Sequence, residues 1–366
     1  MSGRRILMTV DAVGGVWQYA TELARALAPF GHQVLLAALG PPIAADRHAD
    51  HAGLHVIETG LPLDWLAKDE GAVREAARGI AALALKLGVD LIHLNQPALG
   101  AEAMPVPTVA VAHSCVATWW AAVRGGALPA DFVWQTRLVS QGLARAHAVA
   151  VPSHAFARAL QDTYGLTALP EVVHNGRTPL PVAESAMHDF VLAAGRLWDE
   201  GKNVATLDRA AARLCIPLKA AGPVKNPGGG TIAFENLFPL GQVGTGELAR
   251  LLAARPVFAS AAIYEPFGLA VLEAAQSGCA LVLSDIPTFR ELWGDVATFV
   301  QPKDDAQFAA VLQALASDPG TRIAEGERVR RHAARFTPVH MAEAMDRIYQ
   351  RVAASTAPAS RARAMA

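Results

Sequence analysis

Cysteine is scarce: Cys115, Cys215 and Cys279 are the three in 366 residues. They are odd in number, widely spaced and form no C-x-x-C pair, which excludes a disulfide framework or thiolate metal site and fits a reducing, cytoplasmic setting. Charge of one sign is also lacking. With 32 Lys and Arg against 33 Asp and Glu, the formal net charge is -1, so no broad basic field points to nucleic acid. Aromatics are sparse, and aliphatic residues with Ala carry the apolar mass. No apolar run is long enough for export or a membrane span. Ile6 to Val10 is cut by Asp11, and the uncharged stretch Ala103 to Val123 is interrupted by Pro105, Pro107, His113 and Ser114, so it reads as buried strand plus loop. There is no internal repeat and no G-x-G-x-x-G, which removes the main support for a dinucleotide dehydrogenase.

What is present is an alternation of short aliphatic runs with longer helical patterns, the signature of βα units around a parallel sheet. "RRILMTV", "HQVLLAAL", "VDLIHLN", "PTVAVAH" and "AHAVAVPS" read as strands, with a helix in "GVWQYATELARALAPFG" that ends at Gly31 and further helices over 70–87 and 131–146. The Pro-containing stretch "RTPLPVAESAMHD" breaks this rhythm and reads as a linker. The rhythm restarts with strands "FVLAAG", "PLKAAG", "PVFAS" and "CALVLS", and helices starting near Asn203, Thr245, Gly268 and Pro287. The expected fold class is therefore α/β, with two Rossmann-like, doubly wound domains facing a central cleft. Residues 1–176 and 177–337 form the two domains, "PVHMAEAMDRIYQRV" is a final helix and 355–366 a tail.

Ligands of such sheets bind beyond the carboxyl ends of strands, which is where candidate residues are expected. Gly14 and Gly15 in "DAVGGV" let backbone amides approach a phosphate or sugar, or form an ordinary tight turn. His113 ends the run "PTVAVA", delivering an imidazole to the cleft or serving structure alone. Arg196 and Lys202 in "GRLWDEGKN" suit a diphosphate clamp or a solvated surface. Trp119 and Trp120 offer an acceptor-stacking surface or packing beneath a loop, the latter favoured. His48, His51 and His55 lack the pattern of a metal site, and none is expected. In "YEPFGLAVLEAAQSG", Glu273 shares a helix face with Leu269, Leu272 and Gln276 and so needs donors, which a ribose diol could supply while the helix start attracts phosphate. Glu265 reaches the cleft separately; the bland alternatives are a solvated Glu273 and a capping Glu265.

Taken together, "YEPFGLAVLE" with its E-x7-E spacing, "SGCALVLSDIPTFREL", "DAVGGV", His113, "VVHNG", "GRLWDEGKN" and "LGQVGTGELARLL" occur in an order that resembles glycosyltransferases of family 4, the glycogen-synthase-like group with GT-B architecture. The resemblance covers nearly the whole chain. It implies transfer of a hexose from a nucleotide-sugar, a UDP-sugar being favoured, with retention of configuration and no obligatory metal or other cofactor. It assigns Glu273 to the nucleotide ribose, Glu265 and His113 to the transferred sugar, and Arg196 and Lys202 to the diphosphate. Backbone groups at Gly14, Gly15, Phe267, Gly268 and Leu269 fall to the donor, and a last helix, 338–354, to the first domain. Arg196 and Lys202 are six apart where the family more often has five, and His174 stands where a proline often precedes Asn-Gly. A sugar-nucleotide epimerase of the same fold and an inactive nucleotide-binding protein are the competing readings. The acceptor (glycan, lipid-linked or small molecule), peripheral contact with the inner face of a membrane and the oligomeric state stay open.

Overall fold

The computed structural model describes residues 3–11, 14–43, 51–181 and 185–356. The first lobe contains β1 (Arg5–Asp11), α1 (Val16–Leu27), β2 (Gln33–Leu39), β3 (His55–Glu58), α2 (Glu70–Leu87) and β4 (Leu91–Leu94). It continues with β5 (Thr108–Val111), α3 (Val116–Val123), α4 (Val133–Arg145), β6 (Ala148–Val151), α5 (His154–Tyr164) and β7 (Glu171–Val172). The second lobe has β8 (Val191–Ala194), α6 (Val204–Ala211), β9 (Leu218–Ala221), β10 (Phe238–Gly241), α7 (Thr245–Ala253), β11 (Val257–Ser260) and α8 (Leu269–Gln276). After these come β12 (Ala280–Ser284), α9 (Pro287–Trp293), β13 (Thr298–Val300), α10 (Asp305–Ser317), α11 (Pro319–Ala333) and α12 (Pro338–Thr356).

Every named strand pair is parallel, and the orders are β3-β2-β1-β4-β5-β6-β7 and β10-β9-β8-β11-β12-β13. Each order reverses direction once, between β1 and β4 in one sheet and between β8 and β11 in the other. At such a point the neighbouring loops leave the sheet toward opposite faces, which opens a crevice at the carboxyl end. Buried aliphatic clusters cover both faces of each sheet, as the near-continuous apolar strands require.

α12 crosses from the second lobe to the first, where Met341, Met345, Ile348, Tyr349 and Val352 join the cluster built on β1 and α1. It runs on to Thr356, into the segment expected to be a tail; residues 357–366 lie outside the described residues. The chain therefore passes between the lobes twice, and the passages touch. A Cβ on Gly176 would sit 2.1 Å from the Thr337 carbonyl oxygen, so only glycine fits there. One expectation needs correction. The stretch read as strand plus loop ends in a helix, α3, whose start is capped by Cys115, with Sγ accepting from the Thr118 N–H at 3.5 Å. Its sequence VATWWAAV has too few polar residues to display a helical period.

Candidate active site

The two crevices face one another across a single cleft of about 390 Å³. β1 delivers Gly14 and Gly15 to it, and β5 delivers His113; the loop after β8 brings Arg196 and Lys202, and the loop after β11 brings Glu265, Phe267 and Gly268, with Leu269 and Glu273 following on α8. All of the site residues read from the sequence line this cleft, and Trp119 and Trp120 do not.

Two helix starts converge there. Some other first turns are closed by side chains, Asp69 capping α2, Ser153 α5 and Asp304 α10, while α4, α6, α7 and α9 also start without a side-chain cap. At α1 and α8 the capping residues are Gly15 and Gly268, with no side-chain cap, which leaves N–H donors and the positive dipole end to a ligand. The helix starts are neighbours: a Cβ on Gly15 would lie 3.6 Å from Leu269 Cδ1. Gly268 has φ of +94°, and a Cβ there would press on Phe289 and Val271 at 3.3 Å.

Glu273 is buried, which rules out a solvent-facing side chain. Burial pushes its pKa up, and the adjacent Arg177 guanidinium pulls it back toward the ionised form while Glu22 opposes ionisation. Arg177 Nε donates to Glu273 Oε1 at 2.9 Å, and its Nη1 donates to Glu22 Oε1 at 2.8 Å. In the sequence Arg177 opens the linker stretch "RTPLPVAESAMHD"; the partners that give it a role lie 96 and 155 positions away. Glu265 is not a cap. It forms an ion pair with Lys202, so both residues are mutually engaged in this arrangement. Arg196 is held by Asp199, which accepts from Nη2 at 2.9 Å and also takes Gly201 N and Trp119 Nε1. Trp119 thus links the lobes, and Trp120 packs on Phe132 at 6.1 Å.

His113 belongs to a buried relay that the sequence did not reveal. Asn95 Nδ2 donates to the Thr9 carbonyl oxygen at 2.6 Å, which turns Asn95 Oδ1, an acceptor only, toward His113 Nε2 at 2.8 Å and His93 Nε2 at 3.0 Å. Both imidazoles therefore carry their proton on Nε2, and Tyr349 Oη donates to His93 Nδ1 at 2.6 Å. Burial, with His93 as a further positive neighbour, depresses the His113 pKa to about 3, and burial takes His93 to about 4. His113 is thus neutral near pH 7, with Nδ1 as its free acceptor. Tyr19 packs against it with ring centroids 4.5 Å apart, and its enclosed hydroxyl has no hydrogen-bond partner among the described residues.

His174 approaches Glu291 at 3.4 Å, while that carboxylate accepts from the N–H groups of His154 and Ala155 at the start of α5. His51 packs edge-on against Trp17, His55 opens β3, and His48 lies outside the described residues. Among the described residues no group of three or more His, Cys, Asp or Glu is placed to hold a metal ion, and no helix is long and apolar enough to cross a membrane.

Comparison with known proteins gives two family matches: Glycosyltransferase Family 4 over residues 13–179 and Glycosyl transferases group 1 over 233–332. O-antigen chain mannosyltransferase B of Escherichia coli is 38% identical over 86 residues, 23% of this chain and 23% of that protein. D-inositol 3-phosphate glycosyltransferase of Corynebacterium kroppenstedtii is 31% identical over 148 residues, 36% of this chain and 32% of that protein. The chain thus spans only a quarter to a third of the curated relatives it matches. Among solved structures, sucrose-phosphate synthase from Thermosynechococcus elongatus superposes with a TM-score of 0.80 at 20% identity, covering 96% of this chain and 100% of that one. Anabaena HepE, solved in complex with UDP and glucose, gives 0.71 at 17% identity, covering 95% and 100%. With both halves matched in order and two parallel sheets facing one cleft, the chain belongs to the family 4 glycosyltransferases of GT-B fold.

Proposed function

We propose that this protein moves a hexose from a nucleotide-sugar, a UDP-sugar being favoured, to an acceptor hydroxyl with retention of anomeric configuration. The observation that carries the reading is the buried Glu273 carboxylate in the cleft wall, one helical turn behind an uncapped helix start. A ribose diol supplies two hydroxyl donors to that carboxylate, and the helix start faces the attached diphosphate. The two curated relatives are named for sugar transfer, and HepE was solved with UDP and glucose, which agrees with a sugar nucleotide here.

In this reading the diphosphate breaks the Lys202–Glu265 pair. Lys202 and Arg196 turn to the phosphates, and Glu265 accepts from a sugar hydroxyl, so each partner exchanges one opposite charge or donor for another. His113 Nδ1 accepts a second sugar hydroxyl; a neutral ring whose other nitrogen is committed to Asn95 orients the sugar and moves no proton. The bond from the anomeric carbon to the β-phosphate oxygen breaks, and the acceptor oxygen forms the new bond on the same face. Its proton passes to the departing phosphate. Charge growing on that phosphate meets Arg196, Lys202 and two helix starts.

The test is a thermal-shift screen with UDP, GDP, ADP and TDP, followed by mass spectrometry of reactions with the matching nucleotide-sugars. Free nucleotide and a glycosylated acceptor are the expected products. An isomerised donor would point to an epimerase, and an unchanged donor to a binding protein. Because protein cations and helix dipoles face the diphosphate, activity is expected to persist in excess chelator; complete loss, reversed by a divalent ion, contradicts that part.

A further inference from the structure

α3, with the sequence VATWWAAV, holds no charged residue, and it lies where the first lobe meets the two second-lobe loops that carry Arg196, Lys202 and Glu265. Those loops are bonded to each other: Ile263 N and Tyr264 N both donate to the Gly201 carbonyl oxygen, at 2.8 and 3.2 Å, and Lys202 pairs with Glu265. Thr118 meets the Tyr264 hydroxyl on one side of Trp119, and Arg124, at the end of the helix, pairs with Glu200 on the other. Docked before and after Trp119, α3 cannot slide along the joint.

Trp119 does not line the cleft, and its Nε1 donates to Asp199 Oδ1 at 3.0 Å. Gly201 N donates to the same oxygen at 2.9 Å, while Arg196 Nη2 donates to Oδ2 at 2.9 Å. Asp199 is buried, so its carboxylate depends on these donors. A carboxylate is planar; an Oδ1 pinned by two N–H groups, one from each lobe, fixes the place of Oδ2. Arg196 needs such a fixed point, because its side chain is 45% exposed and packing does not aim it. Its contact over the Trp198 ring, at 5.6 Å, selects no single N–H. Asp199 engages Nη2, which leaves other guanidinium N–H groups for a phosphate.

We propose that Trp119 is a positioning residue: from the first lobe it holds Asp199, and through Asp199 it aims the Arg196 guanidinium at the donor diphosphate. The inference rests on the assignment of Arg196 to the diphosphate. It makes the clamp complete only while α3 is seated on the second lobe, so that a side chain outside the cleft sets nucleotide affinity.

The test is calorimetry on the full chain with UDP, GDP, ADP and TDP, continued with whichever binds. Trp119→Phe keeps an aromatic ring and removes the donor. Trp119→His loses more bulk but keeps a donor, because an imidazole overlays the pyrrole half of an indole and puts Nε2 where Nε1 was. Trp119→Phe is expected to weaken the diphosphate about tenfold, the loss of one hydrogen bond to a charged group, and Trp119→His to stay within about threefold of the parent. An equal loss, or the reverse order, assigns Trp119 to packing alone and overturns the proposal. In an Arg196→Met background the effect of Trp119→Phe should vanish, since the indole acts through that guanidinium; an undiminished loss there overturns it as well. Gly201→Ala, whose Cβ would stand 2.8 Å from Trp119 Nε1, pushes the indole off Asp199 from the other lobe. It is expected to match Trp119→Phe in both backgrounds and serves if the Trp119 variants melt early. If Arg196→Met leaves diphosphate affinity unchanged, or none of the four nucleotides binds, the donor assignment fails and this inference with it. If Arg196→Met loses affinity and Trp119→Phe does not, only the positioning role falls.

Discussion

Glu273 is a costly residue to keep. Its burial disfavours the charged form, and Arg177, shared with Glu22, only partly offsets that. Glu273→Gln should therefore leave the melting temperature within a few degrees, as for a change of under about 1 kcal/mol, while nucleotide affinity measured by calorimetry falls at least about tenfold, the loss of a charge-assisted pair. The relay histidines make a separate prediction. Their folded pKa values, about 3 for His113 and about 4 for His93, lie below the ordinary value near 6.5. The unfolded chain then binds protons that the folded chain declines, so stability is full above pH ~6.5 and falls on acidification by up to about 1.4 kcal/mol per group per pH unit. Glu273, raised by burial, opposes this with one proton. Thermal melts from pH 7 to 4 should decline steadily, and His113→Gln should show the shallower slope. At this scale the sequence disclosed residues with a local signal: a His ending a strand, a Glu eight positions after another. Asn95 and Arg177 were illegible because they acquire meaning only from partners brought close by folding, such as Thr9, 86 positions from Asn95.

Among the elements, the helix starts at Gly15 and Gly268 bear on the proposed donor site because neither has a side-chain cap. Gly268→Ala retains the chemistry but forces a side chain into left-handed backbone against Phe289 and Val271. We expect a loss of about 1–3 kcal/mol, read as a lower melting temperature, together with a reduced kcat/KM, because the first turn of α8 must shift. Central strands were readable from their aliphatic runs. The four strands not read from the sequence, β3, β7, β10 and β13, are the edges of the two sheets. Edge strands are short, and one side lacks a neighbour, so their composition carries little β signal; only Val300 among their residues is buried.

For the whole molecule, the decisive element is α12, which leaves the second lobe and fills the first. Met345 is fully buried against the β1 and α1 cluster. Met345→Ala should cost about 2–5 kcal/mol and show in chemical denaturation as earlier unfolding of the first lobe, with the second lobe's own clusters intact. The lobes also meet through Thr118 and Tyr264, whose hydroxyls lie 2.8 Å apart, and through Ser153, which donates to the Pro266 carbonyl oxygen at 2.7 Å. Alternating strands and helices made two domains legible, whereas these cross-lobe bonds join distant segments and leave no periodic trace.

The return of α12 also sets an order of assembly during synthesis. On the ribosome the first lobe emerges early, but part of its interior is encoded in residues 341–352 and is still missing. The second lobe, whose clusters lie between Phe190 and Phe336, has all its parts before that. The half made last can thus be finished first, while the nascent N-terminal half waits with an apolar groove uncovered, a natural point of attachment for a chaperone.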